Sequence, residues 1–256
     1  MSCRSLAVLW LSVLLCAPVA WADPIRLCYE DRDSYPWSMA DGSGLDQLLM
    51  AQLAEALPVA FSYVALPWRR CLDGVDRGLY DGALAASANP ERLAQAVFPQ
   101  DKGLLDRDKR LHTATYALYR RVGDGPQWDG ERFTDLRGRI GSLSGFSIVD
   151  FLREHGAEVD ETSRDPLSLL MMVKSRRIEA AALQVSRADF LLAGHPDLAM
   201  ALEKATTPLQ VKDYYLIFSR AFTRAEPERV REIWAMIPTL REAPAYKARF
   251  KRLVLD

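Results

Sequence analysis

The sequence predicts an α/β protein built as two successive sets of strands and helices. Three observations carry this. From Asp23 onward, period-two strand patterns alternate with helical ones, giving β-α-β-α-β-α over about 75 residues. A strongly polar, aperiodic stretch from Gln100 to Arg110 interrupts the pattern, and a second alternation follows it. Alternation of this kind argues for a mostly parallel sheet flanked by helices. The length of 256 residues allows one large or two small domains, and either buries a proper core.

The elements follow in order. Ile25, Leu27 and Tyr29 alternate with polar neighbours as a strand, and Leu45, Leu48, Leu49, Leu53 and Leu57 recur at helical spacing until Pro58. Val59, Phe61 and Tyr63 form the next strand. Pro67 opens a helix whose apolar stripe is Trp68, Leu72, Val75 and Leu79, with Gly78 near its end. Asp81 to Ala86 is a short apolar strand, and Asn89-Pro90 starts a helix as N-cap and first-turn proline. In the second set, strands are expected at Leu111 to Val122, Gly138 to Leu143, Ile178 to Gln184 and Asp213 to Ser219. Helices are expected at Ser147 to His155, Pro166 to Ser175, Ser186 to Leu192 and Glu226 to Ile237, with Pro238 ending or kinking the last.

Charge and motif content exclude several functions. Lys plus Arg total 33 against 34 Asp plus Glu, and the arginine pairs are scattered among acids, so no broad basic face for nucleic acid is expected. The three histidines, His112, His155 and His195, are not at metal-ligand spacing, and neither a metal nor another cofactor is expected. No Gly-x-Ser-x-Gly elbow or ordered nucleophile and histidine occurs, and Asp73 with Asp76 reads as a solvated helix face, so an enzyme is not expected.

Arg4 is the only charged side chain before Asp23, Leu6 to Leu15 is almost wholly apolar, and Pro18 precedes the small-x-small tripeptide Ala20-Trp21-Ala22. Residues 1–22 therefore read as a cleaved secretory signal, placing the mature chain in the periplasm, against the rival of a retained anchor. Cleavage leaves Cys28 and Cys71 as the only cysteines. In an oxidising compartment such a pair suggests a disulfide; two separate buried thiols remain the alternative.

Ligands of open α/β sheets bind beyond the carboxyl ends of the strands, so those loops hold the candidates. Tyr35 and Trp37 flank Pro36 after the first strand, placed either to stack on a ligand or to close the core edge. Trp68 follows the second strand. Ala85, Ala86 and Ser87 after the third let a ligand approach backbone N–H groups, and Arg92 can offer a two-pronged guanidinium to a carboxylate. Gly145, Phe146 and Ser147 run into a helix start whose N–H groups can cradle an anion, but the P-loop lysine and dinucleotide glycine spacing are missing.

Taken together, Pro67-Trp68 through Gly78 to Asp81-Gly82, then Ala86-Ser87 with Glu91-Arg92 and Val97-Phe98-Pro99, resemble the family 3 extracellular solute-binding proteins. These are the polar amino acid binding relatives of ABC importers. Gly44-Leu45-Asp46, Leu136 to Gly141 and Tyr214 to Ser219 extend the resemblance over most of the mature chain. It implies a two-lobe periplasmic-binding-protein fold of type II, a Venus flytrap, with residues 23–110 and 217–256 in lobe 1 and 111–216 in lobe 2. It further implies a monomer that traps a small ligand by hinge closure and delivers it to an ABC transporter permease, or alternatively signals to a separate membrane sensor. Tyr35 and Trp68 would face the ligand, Ala85 to Ser87 would supply backbone and hydroxyl contacts, and Arg92 would clamp a carboxylate aided by Gly145 to Ser147.

One departure bears on the ligand. Amino acid binders carry an aspartate after the strand matching Ile178 to Leu183, to hold the ligand's ammonium. Here that position is the neutral Gln184. The expectation is a ligand other than a common polar α-amino acid, unless Asp31, Asp33 or Asp46 supplies the charge.

Overall fold

The computed structural model describes residues 23–254; the expected signal, residues 1–22, lies outside them. The first half runs β1 (Ile25–Glu30), α1 (Leu45–Ala56), β2 (Phe61–Leu66), α2 (Trp68–Asp76), β3 (Gly82–Ser87) and α3 (Pro90–Gln95). A ribbon of β4 (Gln100–Asp101) and β5 (Leu104–Leu105) leads into the long β6 (His112–Arg121). A second ribbon, β7 (Gln127–Trp128) with β8 (Phe133–Thr134), precedes β9 (Ile140–Gly141), α4 (Ile148–Glu154) and β10 (Val159–Asp160). Then come α5 (Pro166–Lys174), β11 (Ala180–Gln184), α6 (Val185–Ala193), α7 (Pro196–Ala201), β12 (Leu202–Lys204) and β13 (Gln210–Phe218). The chain closes with α8 (Arg220–Ala225), α9 (Pro227–Arg241) and α10 (Pro244–Val254).

The main sheet is ordered β10-β9-β11-β6-β13-β3-β1-β2, with β12 also on β6. Its flanks are parallel as expected: β1 pairs with β2 and β3, and β9 with β10 and β11. Its centre is antiparallel. β6 pairs with β11, β12 and β13, and β13 pairs with β3. Both central strands change partner midway: Gln210–Tyr214 of β13 lie on β6, and Tyr214–Phe218 lie on β3.

The apolar side chains divide at the same place. Ile25, Leu27, Leu49, Leu111, Leu216, Phe218 and Trp234 pack in one core, while Tyr116, Leu118, Ile140, Ile148 and Tyr214 pack in another. β1 is covered on both faces, because Ile25 and Leu27 meet the helices α1 and α9 side while Cys28 meets Trp68, Cys71 and Val75 of α2. The cysteines are bonded, with Cα atoms 5.5 Å apart, which decides between the two alternatives.

Capping explains the helix starts. Asn89 accepts from Arg92 N at 2.9 Å with Pro90 in the first turn, and Asp165 accepts from Leu167 N and Ser168 N. Two sequence expectations need correction. Leu79 is exposed and lies outside the stripe of α2, because the helix stops at Asp76 and Gly78 turns the chain with φ +71°. Pro238 does not end α9, which continues to Arg241. The proline sits in the last turn, where one lost hydrogen bond is outweighed by burial of Val230, Ile233, Trp234 and Ile237.

Gly82 marks the tightest approach between β3 and β13. A Cβ there would lie 2.3 Å from the Ile217 carbonyl oxygen and 3.0 Å from side-chain carbons of Leu27 and Phe218. Gly82→Ala is therefore expected to destabilise the protein by roughly 1–3 kcal/mol, read as a lower urea midpoint at unchanged m-value.

Candidate ligand-binding cleft

Between the two halves lies a small cavity of about 50 Å³, lined by residues of both. It opens beyond the carboxyl ends of β1, β3 and β11, where strand-end loops of both halves converge. Trp37, Trp68, Phe146 and Tyr214 form aromatic walls; Glu30, Arg92 and Arg187 bring charge.

Five of the expected residues join in one knot. Arg92, 4% exposed, donates through Nη1 to the Ser87 carbonyl at 2.7 Å and to Ser87 Oγ at 3.0 Å, and through Nη2 to the Gly145 carbonyl at 2.7 Å. Ser87 Oγ and Ser147 Oγ share a hydrogen bond of 2.8 Å, and the Arg92 guanidinium lies 5.6 Å from the centre of the Trp68 ring. Of these, the Arg92–Gly145 and Ser87–Ser147 bonds cross the cleft, as do Asn89 Nδ2 to Asp150 at 2.7 Å and Arg69 Nε to Ser144 Oγ at 3.0 Å. Arg164 to Asp31 and Arg69 to Glu161 add ion pairs across its rim.

Ala85 lines the cavity with φ +61°, a left-handed conformation rare for alanine, where β13 bulges between Tyr215 and Ile217. Such strain at a cavity wall turns the backbone of β3 out of its ladder. Ala86 points the other way, into the core with Phe98 and Tyr215. Gln184 lies in the cavity with its amide committed: Nε2 donates to Tyr214 Oη at 2.8 Å, and Ser34 Oγ donates to Oε1 at 3.4 Å. Tyr116 and Tyr214 hydroxyls sit 2.9 Å apart behind it.

Trp37 reaches the cavity as one layer of a stack. Its ring lies 4.0 Å from His112, whose other face is 4.8 Å from Tyr214, and His112 Nδ1 lies 2.9 Å from Asp46 Oδ1. Tyr35 does not reach the cavity. Its ring stacks on Phe190 of α6 at 4.2 Å and its hydroxyl donates to the Leu253 carbonyl. Gly145 contributes its carbonyl to Arg92, while its Cα faces Arg69, whose Cγ would lie 2.6 Å from a Cβ there. Of the aspartates considered as a substitute for the missing acid, Asp46 lines the cavity but is held by His112, and Asp31 pairs with Arg164.

Two charged groups were not among the expected site residues. Arg187, in the first turn of α6, is 3% exposed, and none of its three guanidinium nitrogens has a hydrogen-bond partner. It lies 5.9 Å from the centre of the Phe146 ring. Glu30, the last residue of β1, is pushed up to about 7, first by burial and then by the neighbouring Asp31, with Arg187 opposing. Burial likewise pushes the guanidinium groups of Arg92 and Arg187 down. A sequence signal for Arg187 existed. A cation in the first turn of a helix opposes the dipole, so its placement there calls for a reason other than helix stability.

Neither a protein-family profile nor a curated protein sequence matches the chain. Solved structures do. The chain is similar to the ligand-binding core of GluR0 from Nostoc punctiforme, solved in complex with L-glutamate, at 16% identity over 90% of this chain and 99% of that one, TM-score 0.70. It is similar to the arginine-, lysine-, histidine-binding protein ArtJ of Geobacillus stearothermophilus at 12% identity, 91% and 96% coverage, TM-score 0.71. A histidine kinase sensor domain with similarity to periplasmic binding proteins gives 14% identity, 91% and 97% coverage, and TM-score 0.73. At these identities the likeness defines the fold: the chain has the two-lobe, type II periplasmic-binding-protein fold.

Proposed function

We propose that this chain is a periplasmic solute-binding protein that closes two lobes on a small polar, carboxylate-bearing ligand and delivers it to an ABC transporter permease. The observation that carries the reading is the cleft itself, where aromatic walls and two buried guanidinium groups from opposite sides converge on one cavity. Lobe 1 comprises residues 23–110 and 217–256 and lobe 2 residues 111–216, with β6 and β13 as hinge strands. Their midway change of partner and the division of the cores between Leu111 and Ala114 support this. Trp37, Trp68, Ala85, Ser87, Arg92, Phe146, Ser147 and Gln184 form the ligand's surroundings, while Tyr35, Ala86 and Gly145 support them from behind. Closure needs no catalytic group, because a ligand touching both lobes shifts the equilibrium toward the closed state.

Export after removal of residues 1–22 accords with the Cys28–Cys71 bond, since disulfides persist in oxidising compartments. No helix among the described residues is long and apolar enough to cross a membrane. A second reading, a monomeric ligand sensor signalling through a separate membrane partner, is favoured by the likeness to the histidine kinase sensor domain.

The test is a calorimetric and thermal-shift panel on protein purified from the periplasm, pairing each common amino acid with the carboxylic acid lacking its amine. Ligands are expected to raise the melting temperature and to shrink the radius of gyration in solution scattering. The Gln184 argument fails if any common polar amino acid binds with micromolar or tighter affinity, and the capture reading fails if no compound in the panel or co-purifying with the protein binds.

A further inference from the structure

Arg187 is placed where a guanidinium is costly. It is almost wholly buried, its nitrogens donate to nothing, and among the described residues no carboxylate oxygen lies within 4.0 Å of it. Burying a cation without partners opposes folding. Arg92 is the other buried cation of the cleft, and its partners are two carbonyls and a hydroxyl, none of them charged. Against these two positive charges the cavity sets Glu30 and Asp46, the latter held by His112. Glu30 also leaves Oε1 without a partner. Two groups of opposite charge, each with buried polar atoms that lack hydrogen-bond partners, thus border one cavity.

We propose that Arg187 is the anion-binding residue of the cleft, and that the ligand is a net-anionic organic acid whose carboxylate docks on its guanidinium fork. This deepens the proposed capture function and rests on it. The fork offers five N–H donors in a plane, the geometry that a carboxylate accepts two at a time. Phe146, beside the guanidinium, restricts its approach and lends an apolar wall to the ligand's carbon skeleton. Arg92 supplies a second positive charge on the opposite wall, with most of its donor capacity already directed at Ser87 and Gly145, so it steers and holds the closed cleft more than it grips the ligand. Glu30 is raised toward its neutral form, in which it donates a hydrogen bond to an anion and does not attract an ammonium. The outcome is a site for the acid without its amine: the keto or unsubstituted analogue over the amino acid.

The experiment uses matched pairs on the full mature protein: 2-oxoglutarate against L-glutamate, pyruvate against L-alanine, phenylpyruvate against L-phenylalanine, and succinate as a second dicarboxylate. At least one amine-free acid is expected to bind at least tenfold tighter than its amino partner. Arg187→Gln is expected to weaken that binding at least 30-fold, and Arg187→Lys to restore only part of it. A readout independent of binding accompanies this. With no added ligand, Arg187→Met is expected to raise the melting temperature, since it replaces an unpartnered buried cation by an apolar chain of similar length. A fall in melting temperature would mean that Arg187 is structural and would overturn the inference. So would amino acids binding as well as their analogues, or Arg187→Gln binding unchanged, while ligand capture by the cleft stands in both cases. Binding of no acid and no amino acid by the wild-type protein overturns the inference together with the capture reading.

Discussion

Replacing Cys28 and Cys71 together by alanine is expected to lower the folding free energy by about 4 kcal/mol in the chain-entropy account, the largest single effect expected in this molecule. The bond closes a loop of 43 residues in sequence separation, spanning α1, β2 and the connections between them. Without it the unfolded chain regains the freedom of that loop, while the native contacts of two small, fully buried side chains change little. The effect also has a local side. The disulfide holds α2 on β1, and α2 begins with Trp68, the ring beneath the Arg92 guanidinium. Loosening α2 therefore loosens one wall of the cleft, so ligand affinity is expected to fall along with stability. Urea unfolding of the oxidised protein and of the double variant measures the first, with a larger m-value expected for the variant because its unfolded state is more open. A loss under about 1 kcal/mol would mean that the loop stays compact in the unfolded state.

The first half of the fold was legible because each local signal agreed with its neighbours. Pro58, Pro67 and Asn89-Pro90 punctuate apolar patterns of the right period, and strand-helix alternation leaves little choice but parallel pairing. The antiparallel pairing of β6 with β13 was not, since its partners are about a hundred residues apart and nothing local in Leu111 to Val122 distinguishes a crossing strand from an ordinary one. The cleft was legible in the same uneven way. Strand-end loops locate it, which brought in Trp68, Ser87, Arg92 and Ser147. Tyr35 looked like a ligand-facing aromatic because its loop is at the right place, but the partner that turns it aside, Phe190, comes from α6. Arg187 shows the converse: its place in the first turn of a helix is a weak local signal, and its significance is a burial that only the packed structure creates.

The wild-type protein is expected to lose both ligand affinity and stability as pH rises through about 7, and Glu30→Gln is expected to abolish the part of this dependence that Glu30 carries. The folded-state pKa of Glu30, about 7, exceeds the ordinary carboxyl value of 4.5, so the fold favours the protonated form. The stability this group lends is therefore present below the unfolded value and is lost as pH rises through about 7, as the carboxylate comes to be charged in a buried place. The groups that face it set the sign. Asp31 raises it, Arg187 and Arg164 oppose that rise, and burial is the largest contribution. A carboxylate ligand on Arg187 adds a second anion to the same cavity, so binding should draw a proton onto Glu30. At a separation of about 5 Å and an effective dielectric near 20, the repulsion between two carboxylates is about 3 kcal/mol, enough for an affinity loss approaching roughly 100-fold between about pH 6 and pH 9. Calorimetry of an amine-free acid in buffers of different ionisation enthalpy detects the proton uptake directly. The variant, with an amide that stays neutral, should bind with a flat pH profile at the low-pH affinity and should melt above the wild type at about pH 8. A wild-type profile that is itself flat over this range would show Glu30 remaining ionised beside the ligand, with Arg187 neutralising it.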